Sequence, residues 1–311
     1  MKSESGSVFS QLRAAMRPHQ WTKNLLVLLP LLPEKRLTDP EAVVDGLLAF
    51  AAFCLTSSAV YLWNDVADCH RDRQHPLKRL RPVASGALSA TTAVVAAVAL
   101  AAVGFLLAVV VGVASGRTFP LIILLYLAQN LVYSRWLKRT EILGVMALAF
   151  GFVLRVVAGA VAIGTEVSPW QLLCILSLAL LVAFGKRRLD LYHRLMPRDQ
   201  PSGEPVYSKR YLEMAMSMCG AAGIVTYSLY CVSQPVFRAY GSYGMVFTIP
   251  MVLYGVFRFV YLVEREHHEH DPSRLFVTDR YLLIAGCLWL ATYSFFLYAP
   301  RDIIPWWRFE V

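Results

Sequence analysis

The sequence predicts an all-α, polytopic membrane protein, and three observations predict it. The 311 residues are 57% hydrophobic and 16% charged, with a mean hydropathy of +0.50, against roughly 45–50% apolar and about 25% charged in soluble domains. The apolar residues fall into runs long enough to cross a bilayer, which takes about 20 residues as a helix. The charges are segregated between the loops on the two sides of those runs.

Apolar runs read against the breakers between them give nine candidate transmembrane helices, at 19–34, 41–64, 89–113, 118–136, 142–163, 169–188, 210–231, 242–262 and 280–299. Pro30 and Pro33 should kink the first or end it early. Such spans leave no room for a separate soluble domain, so residues 1–311 are expected to form a single membrane domain. The N-terminal stretch to Gln20 is polar and lacks the apolar core of a secretory signal, so it is expected to be retained.

Nine spans place the N-terminus and the even-numbered loops on one side. Of the 30 lysines and arginines, Lys35, Arg36, Arg117, Arg238, Arg301 and Arg308 fall on the other side, Arg155 lies inside a span, and the remaining 23 share the N-terminal side. That bias makes residues 1–18 and the even loops cytoplasmic, with a periplasmic-side tail at 300–311 bearing the interfacial pair Trp306-Trp307. The expected location is a cytoplasmic (inner) membrane, where basic residues also attract anionic lipids. Nucleic-acid binding is not expected, since no basic stretch outside the membrane is interleaved with aromatics.

The second span runs out into a charged loop. Asn64 is followed by Asp65, Asp68 and Asp72, whose i, i+3, i+7 spacing puts three carboxylates on one helical face. Like charges so stacked repel unless a cation lies between them, and Mg²⁺ is commonly held by one or two carboxylates plus phosphate oxygens. Arg71, Arg73, Lys78, Arg79 and Arg81 follow at once. Alternating acid and base suits a metal-bridged diphosphate, with carboxylates on the metal and cations on the remaining oxygens. A merely solvated loop would explain neither the common face nor the acids on the positive side.

Two other charged sites stand out. Arg155, about the middle of the fifth span, costs several kcal/mol in hydrocarbon, so it should face the bundle interior and meet an acid or a phosphate. Lys186, Arg187 and Arg188 precede Asp190 at the end of the sixth span, where a basic cluster serves as a topology anchor or a phosphate site. His267, His268 and His270, beside Glu266 and Glu269, read as a solvated loop rather than a metal site. Cys54, Cys174, Cys219, Cys231 and Cys287 lie in or beside apolar segments and Cys69 in a polar loop, with no Cys-x-x-Cys pair, so neither disulfides nor zinc are expected. Walker A and Gly-x-Ser-x-Gly motifs, heptads and the Thr-Gly-Gly-Thr loop of soluble phosphoribosyltransferases are absent.

The run Asn64-Asp65-x-x-Asp68-x-x-x-Asp72-Arg73, with Lys78-Arg79-x-Arg81-Pro82 downstream, resembles the first aspartate-rich motif of the UbiA family of intramembrane prenyltransferases. The resemblance implies nine transmembrane helices around a central cavity. Further segments are similar to one branch, the decaprenyl-phosphate phosphoribosyltransferases: Arg17-Pro18-x-Gln20-Trp21-x-Lys23-Asn24, His75-Pro76 through Ala84-Ser85-Gly86, Tyr133-Ser134-x-x-Leu137-Lys138, Gly151-Phe152-x-Leu154-Arg155-x-x-Ala158-Gly159, and Gly185-Lys186-Arg187 with Asp190. The likeness covers about residues 17–190. Where conventional members place a second Asp-x-x-x-Asp, this chain has Lys186-Arg187-Arg188-Leu189-Asp190. Bases there suit a phosphate not bridged by metal.

The branch therefore implies Mg²⁺-dependent transfer of 5-phosphoribosyl from phosphoribosyl diphosphate (PRPP) to a polyprenyl (decaprenyl) phosphate, supplying a cell-envelope polysaccharide precursor. Asp65, Asp68 and Asp72 are the expected metal ligands, completed by Asn64. Lys23, Arg73, Lys78, Arg79, Arg81, Tyr133, Lys138, Arg155, Lys186, Arg187 and Asp190 are the expected substrate-binding residues. A conventional prenyltransferase acting on an aromatic acceptor is the alternative, weakened by the missing second acidic motif. A transporter of a phosphorylated solute would be expected to show hydropathy symmetry between two halves. One departure from the branch is Gly144, where relatives tend to carry an acid and only Glu141 is nearby.

Overall fold

The computed structural model describes residues 7–74, 78–115, 118–194, 207–240, 243–265 and 272–298. Among them there is no strand. In chain order the α-helices are α1 (Val8–Met16), α2 (Pro40–Ala67), α3 (Cys69–Gln74), α4 (Ala90–Ser115), α5 (Phe119–Arg135), α6 (Leu143–Ile163), α7 (Pro169–Arg194), α8 (Lys209–Cys231), α9 (Gln234–Tyr240), α10 (Ile249–Arg265), α11 (Pro272–Thr278) and α12 (Arg280–Tyr298). The all-helical expectation is borne out. His75, Pro76, the His267–His270 cluster with Glu266 and Glu269, and the 300–311 tail lie outside the described residues.

Among the described residues, six segments are long and apolar enough to cross a membrane: Pro40–Ala67, Ala90–Val113, Leu143–Ile163, Lys209–Cys231, Gly244–Arg265 and Arg280–Tyr298. The protein is a multi-pass membrane protein. The other three expected spans correspond to a segment at Pro18–Leu31 and to α5 and α7, so nine crossings remain compatible with these helices. At 17 residues, α5 is about 26 Å long, just short of a roughly 30 Å hydrocarbon core.

The expected α-helix at 19–34 is instead a 14-residue 3-10 helix, Pro18–Leu31. Such runs are ordinarily three or four residues. It begins after Arg17 in the left-handed region (φ 54°) and contains Pro30, which has no N–H to donate. Packing holds it: a Cβ on Gly159 of α6 would run into the Val27 carbonyl, so the two backbones touch.

The chain divides into two compact units. Among the described residues, the first comprises those within 7–147 and 154–166; the second comprises those within 148–153, 167–194 and 207–298. In the first unit α4, α5 and the 3-10 segment all pack on α2. Small residues permit the approach: a Cβ on Gly104 of α4 would lie 2.6 Å from Thr56 Oγ1 and 3.0 Å from the Ala52 carbonyl of α2. Ala49, Ala52, Phe53, Ala108, Ile123 and Ala158 are buried in the resulting core. Below the acidic loop a second cluster joins Ala15 of α1 and Leu62 of α2 to Val83, Leu88 and Ala93.

In the second unit α7 packs on α8, and α10 on α12. Gly185 accepts the Phe259 ring at 3.1 Å from its notional Cβ, and Gly223 accepts Leu178 at 2.8 Å. A buried polar chain ties the unit together: Trp289 Nε1 donates to Tyr227 Oη at 2.7 Å, and that oxygen lies 2.6 Å from Thr248 Oγ1.

Candidate active site

The charged loop is built at the end of α2. The helix stops at Ala67, with Asp68 as its C-cap (φ −97°, ψ 3°), and α3 restarts at Cys69. The Asp72 amide donates to the Asp68 carbonyl at 2.8 Å, so the turn stays nearly helical. Asp65 and Asp72 end up facing one another's partner: Arg81 Nη1 donates to Asp72 Oδ2 at 2.7 Å and to Asp65 Oδ1 at 3.4 Å. Both acids are buried, at 1% and 3% exposure.

Asp68 has partners of its own. Lys138, in the turn after α5, reaches its Oδ1 at 2.6 Å, and Arg71 stands at 3.6 Å. Among the described residues no three acidic, histidine or cysteine side chains converge as a ready-made metal cage. Cations sit between the carboxylates, and the repulsion expected from the spacing is relieved that way.

Arg17, part of the N-terminal signature, is the nearest ion-pair partner of Asp65. Its Nη2 donates to Asp65 Oδ1 at 2.5 Å, and its guanidinium lies 5.2 Å from the Tyr61 ring centre. Burial pushes the Arg17 pKa down from its ordinary value, opposed by the neighbouring Asp65 charge. The left-handed backbone at Arg17 turns the chain from α1 into the 3-10 segment just where this ion pair forms. Ser134, another motif residue without an assigned role, donates to Asn64 Oδ1 at 2.5 Å. The signal for both was the family-like motif, since neither pairing is visible in spacing.

The other sequence-predicted residues are placed as follows. Arg73 is exposed, and its Nε donates to the Ala84 carbonyl at 3.1 Å. Arg79 is exposed and Lys78 half-buried in the turn Lys78–Leu80, Lys23 is half-buried on the 3-10 segment, and Tyr133 is half-buried on α5. Arg155 is buried at 6% exposure, in the interior as expected. Its Nε donates to Asn24 Oδ1 at 2.8 Å and its Nη2 to Tyr126 Oη at 2.9 Å. Asn24, fully buried, donates in turn to Ser57 Oγ at 3.1 Å. In the second unit Lys186 is exposed, whereas Arg187 and Arg188 are buried. Arg187 stands 3.9 Å from Asp190, and Arg188 3.4 Å from Glu213.

Gly144 also has a physical reason. A Cβ there would lie 2.6 Å from the Leu137 carbonyl, so the close turn between α5 and α6 leaves no space for an acidic side chain.

These residues fit a divalent cation. The donors are hard oxygens, and Asp65 Oδ2 is a buried carboxylate oxygen with no hydrogen-bond partner. Such an orphaned acceptor is costly unless a cation meets it.

The comparisons agree with the motif. The model of the UbiA prenyltransferase family matches residues 37–285. The chain belongs to the UbiA prenyltransferase family. Its relatives include proteins named decaprenyl-phosphate phosphoribosyltransferase, the branch the motifs resemble. The one from Mycobacterium tuberculosis is 31% identical over 289 residues, 89% of this chain and 91% of that protein. The one from Corynebacterium glutamicum is 36% identical over 220 residues, 70% of this chain and 65% of that protein. Among solved structures, a UbiA homolog from Archaeoglobus fulgidus bound to DMAPP and Mg²⁺ aligns over 93% of this chain and 100% of its own, with a TM-score of 0.68 at 17% identity. That likeness bears out the UbiA fold. Membership makes the chain a membrane-embedded transferase.

Proposed function

We propose that this chain transfers the 5-phosphoribosyl group of PRPP to a polyprenyl phosphate such as decaprenyl phosphate, with Mg²⁺, at the cytoplasmic membrane face. The observation that carries the reading is the interleaving of acids and bases in the first unit: Asp65 and Asp72 share Arg81, Arg17 adds to Asp65, and Asp68 holds Lys138. A site for a prenyl diphosphate alone would call for a second acidic motif, and Lys186-Arg187-Arg188-Leu189-Asp190 stands in its place. The curated relatives bear the corresponding name.

Asp65, Asp68 and Asp72, with Asn64, would hold Mg²⁺, which when bound neutralises charge on the leaving diphosphate. Arg17, Arg81 and Lys138, with Arg73, Lys78 and Arg79 around them, bind the diphosphate oxygens and stabilise the charge that grows as the ribose C1–O bond breaks. Diphosphate leaves with the electron pair. An oxygen of the lipid phosphate forms the new bond to C1; it is already ionised, so no strong general base is required. Lys23, Tyr133, Lys186, Arg187 and Asp190 are assigned to the lipid phosphate and the 5-phosphate. Arg155 acts by fixing Asn24, and with it the 3-10 segment that carries Lys23.

The test gives purified protein in detergent radiolabelled PRPP with a polyprenyl phosphate, and in parallel a prenyl diphosphate with 4-hydroxybenzoate, each with Mg²⁺ or EDTA. A labelled lipid that forms in the first mixture and is lost with EDTA is expected. Product in the second mixture alone would overturn the reading in favour of aromatic prenylation.

A further inference from the structure

Away from the acidic loop, the second unit carries a stack of guanidinium groups and phenol rings that the transferase reaction does not use. Arg258, Tyr261 and Arg265 lie on α10 at i, i+3 and i+7, one face of the helix. Arg280 and Tyr281 open α12. The side chains alternate: the Arg265 guanidinium lies 5.2 Å from the Tyr261 ring centre, Arg258 lies 5.3 Å from that ring and 4.8 Å from the Tyr281 ring, and Arg280 lies 4.7 Å from Tyr281. The order is Arg265, Tyr261, Arg258, Tyr281, Arg280.

The middle and the ends of this ladder differ in charge. Arg258 is neutralised by a two-point pair with Asp279, at 3.2 and 2.7 Å. That pair holds the Asp279 carboxyl below the usual carboxylate range. Asp279 also caps α12, accepting from the amides of Tyr281 and Leu282 at 3.1 and 2.9 Å. Arg265 and Arg280 are exposed, and among the described residues neither has an ion pair. Arg280 donates one N–H to Tyr281 Oη at 2.7 Å, and a guanidinium has five N–H donors.

Position completes the case. Arg265 ends one membrane span and Arg280 begins the next, so both lie at the same membrane surface. The flanks of the two helices are exposed and apolar, with Phe257 62%, Ile284 54% and Leu288 52% exposed. Tyr261 and Tyr281, 43% and 41% exposed, are the aromatics of an interfacial belt.

We propose that the α10–α12 ladder is a binding site for an anionic phospholipid, its phosphate taken by Arg265 and Arg280 and its acyl chains lying along the apolar flanks. Ring stacking holds each guanidinium in place before the lipid arrives, so little side-chain entropy is lost on binding. The fixed Arg258–Asp279 pair keeps the two helix ends, and with them the outer arginines, at a set spacing. The proposal is independent of the transfer reaction.

The full chain is placed in nanodiscs of phosphatidylcholine alone or with phosphatidylglycerol, and the thermal unfolding midpoint and the lipids retained in native mass spectra are measured. Phosphatidylglycerol is expected to raise the midpoint and to remain bound. Arg265→Gln with Arg280→Gln should lose most of the shift and the retained lipid, while Arg13→Gln with Arg139→Gln, an equal loss of exposed charge elsewhere, should keep both. The proposal is overturned if the ladder variant keeps the full shift, if the control variant loses as much, or if inorganic phosphate added to phosphatidylcholine nanodiscs reproduces the stabilisation. The substituted side chains are exposed, and the phosphatidylcholine midpoint checks that each variant is folded.

Discussion

Arg155→Met separates two roles for a buried cation. Methionine keeps the length of the side chain but removes the donors to Asn24 Oδ1 at 2.8 Å and Tyr126 Oη at 2.9 Å. Interhelical hydrogen bonds in membrane proteins average about 0.6 kcal/mol, which sets a floor near 1 kcal/mol for the two. Asn24 is fully buried within protein, however, and an orphaned buried polar group costs about 1–3 kcal/mol. We therefore expect about 3 kcal/mol of destabilisation, a midpoint lower by about 6 °C at roughly 2 °C per kcal/mol for a chain of this size. Arg155→Lys, which keeps the charge but loses the planar fork, should fall between. The assay is thermal unfolding in detergent alongside KM for PRPP and for polyprenyl phosphate. An unchanged midpoint with a large rise in one KM would refute the positioning role and make Arg155 a phosphate ligand.

Three further outcomes follow from the same geometry. Asp68→Asn should abolish Mg²⁺-dependent product while leaving the unfolding midpoint nearly unchanged, because asparagine keeps the Oδ1 that accepts from Lys138; retained turnover would remove Asp68 from the metal set. Gly159→Ala should cost about 3 kcal/mol, because the added Cβ meets the Val27 backbone rather than a yielding side chain, and a midpoint equal to that of the parent would show the 3-10 segment free to move. The Arg258–Asp279 pair stabilises fully above the ordinary aspartate pKa of about 3.9, and that contribution is lost as pH falls through the lower folded value. Unfolding midpoints taken at descending acid pH should therefore fall less steeply in Asp279→Asn than in the parent; parallel curves would contradict the depressed pKa.

Much of the site was legible in the sequence where its parts are close in the chain. Asp65 at the end of α2 and Asp72 on α3 are only 16 and 9 residues from Arg81, and helical spacing marks them as one charged cluster. The pairs that cross the fold were not legible. Arg17 is 48 residues from Asp65, and Lys138 and Ser134 are each 70 from Asp68 and Asn64; motif likeness marked these positions without naming their partners. The fold was legible wherever hydropathy alone decides, as in α4. It was not at 18–31, where the prolines suggest a broken α-helix and the chain forms a continuous 3-10 helix that packs through Val27 on Gly159. At Gly144 the sequence shows only a departure from the branch pattern, whereas the Leu137 carbonyl fills the space a side chain would need.

The ion pairs of the acidic loop have a consequence for the proposed chemistry. Three carboxylates at a membrane surface, two of them nearly buried, would be unstable without counter-charge. Arg17, Arg81 and Lys138 provide it. In the proposed reaction, those same side chains meet the phosphate oxygens. On the proposed reading, binding of a Mg²⁺-diphosphate is therefore an exchange of partners rather than an addition of charge, in which each arginine trades a carboxylate for a phosphate. The cations are already partly desolvated and oriented by the acids, so much of the cost of ordering them is met during folding. Among the described residues of the acidic cluster, Asp65 Oδ2 is buried and without a hydrogen-bond partner, and on the proposed reading it is the atom at which the exchange begins.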